Sequence, residues 1–419
     1  MSAITTDPDS AHLTTATLKT VAATVRDPRL DFYRGMAMFI ILFAHTPGNF
    51  FTSWIPARWG FSDATEMFVF CSGMASAIAF GRTFDRAGWT LGAARVGYRV
   101  WQVYWAHIAM FFAIATMLAF WDGTGLFERN YINSLNLGHF FKDTAENMVG
   151  IFTLTYVPNY FDILPMYLVI LAMMPVVMAA SRVHLGLVAL LIAMVWLFAQ
   201  HLLLVKLGNP EMALYLPAEP WSERRWFFNP FGWQLVFFTG FAFMRGWIPA
   251  PPVATWLIAL AAIIVIANIP LSNIGIRAVS REWFGAFESN WVIEWRVAQK
   301  WMITKSDFGI LRYVHFLSLA YLGWVAAGIG GQRLLANGQT KASAVWAFAV
   351  KIMMKVGQQS LAVFVFSMVF ARFSGMLLDQ VGRSTLKTTL VNFLGMAALV
   401  AVAYFVAWIK KHPWRAVKV

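Results

Sequence analysis

The strongest constraint on this chain is a succession of apolar runs, each long enough to cross a bilayer, that recurs from one end to the other. A helix crossing a hydrocarbon core needs about 20 mostly apolar residues. Runs of that kind occur near 35–54, 64–81, 100–120, 163–180, 186–205, 231–247, 253–271, 309–330, 343–371 and 388–409. Backbone polar groups inside a bilayer have no water to bond to, so such runs must be helical. The expectation is an all-α, polytopic integral membrane helix bundle with about ten transmembrane helices. Composition agrees, at 59% hydrophobic and 13% charged, where soluble domains carry about 25% charge. A disordered chain is excluded and a compact soluble enzyme fits poorly. The first run follows a polar tail, so it does not read as a cleavable signal peptide. Three parts result: a cytoplasmic N-terminal tail over 1–30, a transmembrane domain over 31–410, and a basic cytoplasmic C-terminal tail over 411–419.

Net charge is +13. In a soluble protein this would suggest nucleic acid; here it asks which side of the membrane holds the positive charge. With a cytoplasmic N-terminus, the inside segments carry Lys19, Arg26, Arg29 and Arg34, then Arg82, Arg86, Arg95 and Arg99, then Arg182, Arg245, Arg333 and Lys341, and finally Lys410, Lys411, Arg415 and Lys418. Their acids are only Asp7, Asp9, Asp27, Asp31 and Asp85. This is the positive-inside pattern, and two cytoplasmic termini match an even number of spans. The single cysteine, Cys71, excludes an intrachain disulfide, and the scattered histidines give no zinc spacing. No metal, no permanently bound cofactor and no nucleic-acid partner is expected. Membrane lipid is an expected partner, and a homo-oligomer is compatible with the sequence. Two expected outside loops are long, 121–162 and 272–307. The second holds Arg281, Trp283, Phe284, Trp291, Glu294, Trp295 and Arg296. Such a mixture suits an amphipathic helix at the membrane surface or an aromatic lip for sugar rings. Trp221, Trp226, Phe227 and Phe228 in the 206–230 loop permit the same two readings.

An ionisable residue inside an apolar span costs about 2.5–3.5 kcal/mol at mid-helix, so each one is a functional candidate. The candidates are His45, Asp63, Glu66, His107, Arg312, His315, Lys351 and Lys355. Interfacial placement would explain Asp63 and Arg312, packing His107, and snorkelling Lys351. His45 follows Arg34 by eleven residues, which puts both on one helix face about 16 Å apart. Arg34 would then stand at the cytoplasmic mouth with His45 near mid-membrane. A long, thin substrate with phosphates at one end and a reactive atom at the other fits that spacing, and coenzyme A thioesters have this shape. An interfacial arginine and an unrelated bundle histidine would give the same spacing. Pro47 and Gly48 then break the helix, which the bilayer tolerates where a polar cavity is lined. Ser62 and Asp63 suit the start of the next helix. Capping explains Glu66 less well, and a carboxylate beside histidine is how a general base is oriented.

These residues carry a resemblance. The block Arg29-Leu30-Asp31-Phe32-Tyr33-Arg34-Gly35, then His45, then 61–73 from Phe61-Ser62-Asp63-Ala64-Thr65-Glu66 to Cys71-Ser72-Gly73, resembles the OpgC family, the succinyltransferases of osmoregulated periplasmic glucans. Further matching stretches are Asp162-Ile163-Leu164-Pro165-Met166-Tyr167, 229–235, Leu311-Arg312-Tyr313-Val314-His315-Phe316 and 357–364. The arginine-to-histidine spacing also resembles the first-helix signature of the wider acyltransferase-3 group. The resemblance implies a multi-pass enzyme of the bacterial inner membrane that moves succinyl groups from cytoplasmic succinyl-CoA to glucose hydroxyls of a periplasmic glucan. It also implies that Arg34 holds the coenzyme phosphates and that His45 is the base.

Around these two residues, burial and chemistry suggest the remaining roles. Arg82, Arg95 and Arg99 would help with phosphate, since a planar guanidinium binds such oxygens in pairs. Asp63 or Glu66 would orient His45, and His315 or Arg312 would stabilise the oxyanion. Lys355 would pair with Glu66 or hold the succinyl carboxylate. Asn49, Trp291 and Trp295 would contact the acceptor. An acetyltransferase for another exported glycan and a proton-coupled secondary transporter are the alternatives; the transporter is disfavoured because the first-span block is not repeated in the second half.

Overall fold

A computed structural model describes residues 27–126, 128–280, 290–335 and 340–415. Most of the N-terminal tail, the end of the C-terminal tail, and the loop residues Arg281, Trp283 and Phe284 lie outside the described residues. The principal helices are α1 Pro28–His45, α2 Ala64–Ser76, α3 Arg82–Gly123, α4 Thr144–Thr153, α5 Ile163–Val183, α6 Leu185–Phe198, α7 Pro230–Arg245, α8 Thr255–Asn268, α9 Trp291–Ala298, α10 Ile310–Ala327, α11 Lys341–Gln358, α12 Ser360–Val381 and α13 Thr385–Ile409. The described residues contain no strand, only an isolated bridge between Pro217 and Arg225. Five stretches are long and apolar enough to cross a membrane: Ala64–Gly123, Ile163–Val183, Ile310–Ala327, Ser360–Val381 and Thr385–Arg415. Helices α6 and α8 are apolar but shorter.

Local chemistry moves several boundaries. Helix α1 begins seven residues before the expected span, because Asp27 accepts a bond from the Arg29 amide and Pro28 fills the first turn, where its missing N–H is not needed. It ends at His45 rather than near 54, since Pro47 and a left-handed Gly48 (φ 68°) stop it. The stretch Ala64–Gly123 folds back on itself at Gly88, whose φ of 82° and ψ of 177° are not helical. Arg95 Nη1 bonds Thr83 Oγ1 at 2.6 Å, whereas twelve residues of straight helix would separate them by about 18 Å. The expected span 343–371 is two helices broken at Gln359, α11 and α12.

Contacts fix the direction of several helices. The start of α12 meets α1 at Arg34, through Ser360, while its end meets the break after α1, where Arg383 bonds the Pro47 carbonyl. Helix α13 then returns, so that Lys410 Nζ reaches Gln359 Oε1 at 2.7 Å. The Gly88 turn and the end of α7 share the Arg34 end of the bundle, joined by Asp85 and Arg245 at 2.7 Å. The starts of α2 and α10 share the His45 end, joined by Glu66 and Arg312. Helix α11 stays at the Arg34 end: Trp346 meets Phe32 at a tilt, 6.2 Å between ring centres, Gly357 abuts the Asp31 carbonyl, and Gln358 bonds Asp31.

Two crossings depend on glycine. A Cβ at Gly73 or Gly240 would strike the carbonyls of Phe237 and Phe70, so α2 and α7 pack backbone to backbone. Gly35 and Gly357 do the same for α1 and α11, against Met353 and Asp31. Small residues at such crossings are how helices associate when the surrounding solvent is itself apolar. The distribution of polarity agrees. Helix α13 buries Thr388, Asn392 and Gly395 while exposing Leu390, Phe393, Leu394 and Phe405. An apolar exterior over a polar interior is the reverse of a soluble helix.

Candidate functional site

The two candidate groups on α1 face different surroundings. Arg34 bonds Ser360 and lines a cavity of about 760 Å³ at its end of the bundle. Arg99 and Lys410 share this lining, with Ser72, Ser76 and Gln358, and the lining includes no carboxylate. Arg99 is steadied by Gln102 at 3.0 Å and Lys410 by Gln359 at 2.7 Å. Three cations thus line one cavity, which suits an anion. Of the other expected donor contacts, Arg95 is turned onto Thr83 in the Gly88 hairpin, and neither it nor Arg82 lines the cavity. Lys410 was hidden in the sequence within the basic C-terminal run, where it read as topology rather than chemistry.

Lys355 is also displaced from its expected place. It sits on α11, five residues before Ser360, with its Nζ 5.5 Å over the Tyr404 ring. It therefore does not pair with Glu66, because the break at Gln359 keeps α11 at the Arg34 end. Lys351, expected inside the same span, is exposed.

At the other end of α1, His45 Nδ1 lies 2.9 Å from the Ile41 carbonyl. A carbonyl only accepts, so Nδ1 carries the proton and Nε2 keeps its lone pair. The ring meets Tyr160 edge-on at 5.4 Å and retains some accessible surface. His45 is not part of the cavity lining; the helix between Arg34 and His45 spans that gap. The break beyond it is clamped, since Gly375 packs on Pro47, Arg383 covers Gly48, and Arg383 also bonds Asp379.

The carboxylates expected to orient His45 are engaged elsewhere. Asp63 caps α2 through the Thr65 amide at 2.7 Å and pairs with Lys305 at 2.5 Å. Glu66, fully buried, accepts from the Asp63 amide at 2.8 Å and pairs with Arg312 at 2.5 Å. The capping box thus joins two ion pairs, and each buried charge has a partner, as burial in a low dielectric demands. The His45 ring is held by the Ile41 carbonyl instead. Arg312 is thereby committed to Glu66. His315 is a packing histidine: its Nδ1 accepts from the Ser62 amide at 3.3 Å and faces Ser62 Oγ at 2.7 Å, and its ring fills the space above Gly60. Neither group is available as an oxyanion donor in this arrangement.

The expected acceptor contacts also divide. Asn49 is buried in a reciprocal amide pair with Asn392, at 2.7 and 3.0 Å, so it serves the α1–α13 contact and not a ligand. Trp295 stacks on Phe61 at 6.1 Å, covering the start of α2, while Trp291 on the same short helix is exposed. Trp221 stacks on His139 at 4.6 Å, and Trp226 is buried. The loops at this end are tied by Asp162, which accepts from the Phe227 amide at 2.8 Å, and by Asn229, which caps α7 and reaches Asp307 at 3.2 Å. Burial pushes the Asp162 carboxyl up to about 6, the Phe227 amide and Arg224 pulling the other way, and it raises Asp307 as well. Among the described residues no group of three or more His, Cys, Asp or Glu is arranged to hold a metal.

An all-helical bundle with apolar exterior faces, five stretches able to cross a bilayer and internal ion pairs is a helical membrane protein. The model of the OpgC protein family matches residues 26–411, nearly the whole chain, and the chain belongs to that family. Membership makes it a transferase and points to a role in succinylation of osmoregulated periplasmic glucans. No curated protein and no solved structure matches it.

Proposed function

We propose that this chain is a multi-pass enzyme of the bacterial inner membrane that transfers a succinyl group from cytoplasmic succinyl-CoA to a glucose hydroxyl of a periplasmic glucan. The observation that carries this reading is a cavity lined by three cations, Arg34, Arg99 and Lys410, at the opposite end of α1 from an imidazole whose Nε2 keeps its lone pair. The cations suit the phosphates of a nucleotide donor. The pantetheine arm follows α1 towards His45, and a sugar hydroxyl arrives from the other end.

There, Nε2 takes the hydroxyl proton as the oxygen attacks the thioester carbonyl. Collapse of the intermediate breaks the C–S bond, and the thiolate leaves and takes a proton back from the imidazolium. The Ile41 carbonyl holds the ring in the required tautomer throughout. On this reading α1, α2, both the arms of the Gly88 hairpin, α5 to α8, α10, α12 and α13 give ten crossings, α2 and the first arm counting as one. Helix α11 rests at the cytoplasmic face, and both termini are cytoplasmic.

The test is purified protein in detergent, given succinyl-CoA and a periplasmic glucan, with release of free coenzyme thiol followed. Release that requires the glucan is expected. Binding or movement of substrate with no thiol released would replace the enzyme by a transporter, and glucan-dependent release from acetyl-CoA alone would replace succinyl by acetyl.

A further inference from the structure

Arg372 on α12 has no place in the chemistry above. Four cations gather around the His45 end of the bundle core, and three are matched: Lys305 with Asp63, Arg312 with Glu66, and Arg383 with Asp379. Among the described residues Arg372 has no carboxylate within ion-pairing distance, and its Nε is buried without a hydrogen-bond partner. Arg129 lies in its field but is itself paired with Asp379 at 3.0 Å. The guanidinium carbon stands 4.1 Å over the Tyr160 ring, and the same ring meets His45 at 5.4 Å. Tyr160 is held as a shelf between them: its hydroxyl donates to the Met368 carbonyl at 2.7 Å, and its backbone is left-handed, with φ 88°. A bulky residue in that conformation is strained, and it persists only where the surroundings impose it.

We propose that Arg372 binds the distal carboxylate of the acyl group and thereby selects a dicarboxylic donor; the proposal rests on the acyl-transfer reading above. A half-buried guanidinium whose Nε has no partner is costly, and a carboxylate received in two parallel bonds offsets that cost. Direction agrees as well. The donor's phosphates lie at the Arg34 end and its thioester beside His45, so the acyl tail continues past the imidazole, where Arg372 stands and Lys355 does not. Length agrees: four carbons span about 4 Å from thioester carbon to carboxylate carbon. The group is short, and the imidazole and the guanidinium both meet the one Tyr160 ring, at 5.4 and 4.1 Å.

The test compares wild type with Arg372→Gln and Arg372→Lys for binding and for turnover. Binding uses free coenzyme A, which has no carboxylate, and a non-transferable thioether analogue carrying one at the same distance as succinyl. Arg372→Gln is expected to weaken the analogue at least about tenfold, the loss of a charged hydrogen-bonded partner, while leaving coenzyme A within about twofold. Arg372→Lys is expected to fall between them and to show that the site still folds. Equal weakening of both ligands, or of neither, overturns the role of Arg372. A wild type that releases thiol from no acyl-CoA overturns the acyl-transfer reading itself, an outcome separable from the first.

Discussion

At the scale of single residues, the proposed chemistry turns on two side chains of α1. Arg34 and His45 are eleven positions apart on one helix, so their common face follows from helical periodicity alone. Lys305 and Arg312 meet Asp63 and Glu66 across some 240 positions of chain, and nothing in local pattern announces such a pairing. Histidine near two carboxylates read as a base with its orienting acid, but the acids already had cations. His45→Ala is expected to leave a folded, membrane-inserted protein without measurable thiol release; near wild-type turnover would remove His45 from the reaction. Arg34→Ala should raise the KM for succinyl-CoA with little change in the KM for glucan, because on the proposed chemistry it meets only the donor's phosphates. Glu66→Gln strands Arg312 in a buried site, so it should cost about 3–5 kcal/mol of stability, read as a large fall in melting temperature. Glu66→Gln combined with Arg312→Met should recover much of that loss.

At the scale of elements, apolar length marked most of the helices but not how they stop or pack. The run 343–371 carries Lys351, Lys355 and Gln358-Gln359 in its first part and is long for one crossing, but apolar length alone does not place a break at Gln359. The reversal between the runs 64–81 and 100–120 was legible from the arginine-rich segment that separates them; that it turns at one glycine, Gly88, with positive φ was not. The two glycine crossings are equally silent in a single sequence. Gly73→Leu should separate α2 from α7 and abolish stable folding in detergent, whereas Gly123→Leu, where a side chain would meet open space, should be tolerated. The Asp162 knot gives a pH prediction. Its folded pKa of about 6 lies above the ordinary carboxylate value, so the native state binds the extra proton between about pH 4 and 6. Stability from this group is therefore present at low pH and falls as pH rises through that window. Asp162→Asn keeps an oxygen for the Phe227 amide and should flatten the melting temperature over the same range.

At the scale of the whole molecule, alternation of contacts between two ends supports the ten-crossing path, which single-cysteine labelling tests. Cys71 is buried and will not react in the native protein. A cysteine at exposed Ala87, in the Gly88 turn, should be labelled only from the cytoplasmic side of sealed vesicles, and one at exposed Glu223 only from the periplasmic side. Labelling of both from one compartment would break the path.

The distance between the cationic cavity and the imidazole has its own consequence. On the proposed chemistry the protein acts as a gauge: a donor must be anchored at one station and cleaved at another, about 16 Å further along the same rod. Truncated thioesters that keep the succinyl group but lack the nucleotide should reach the imidazole only by chance. Donors longer or shorter by a carbon or two in the arm should present the wrong atom to it.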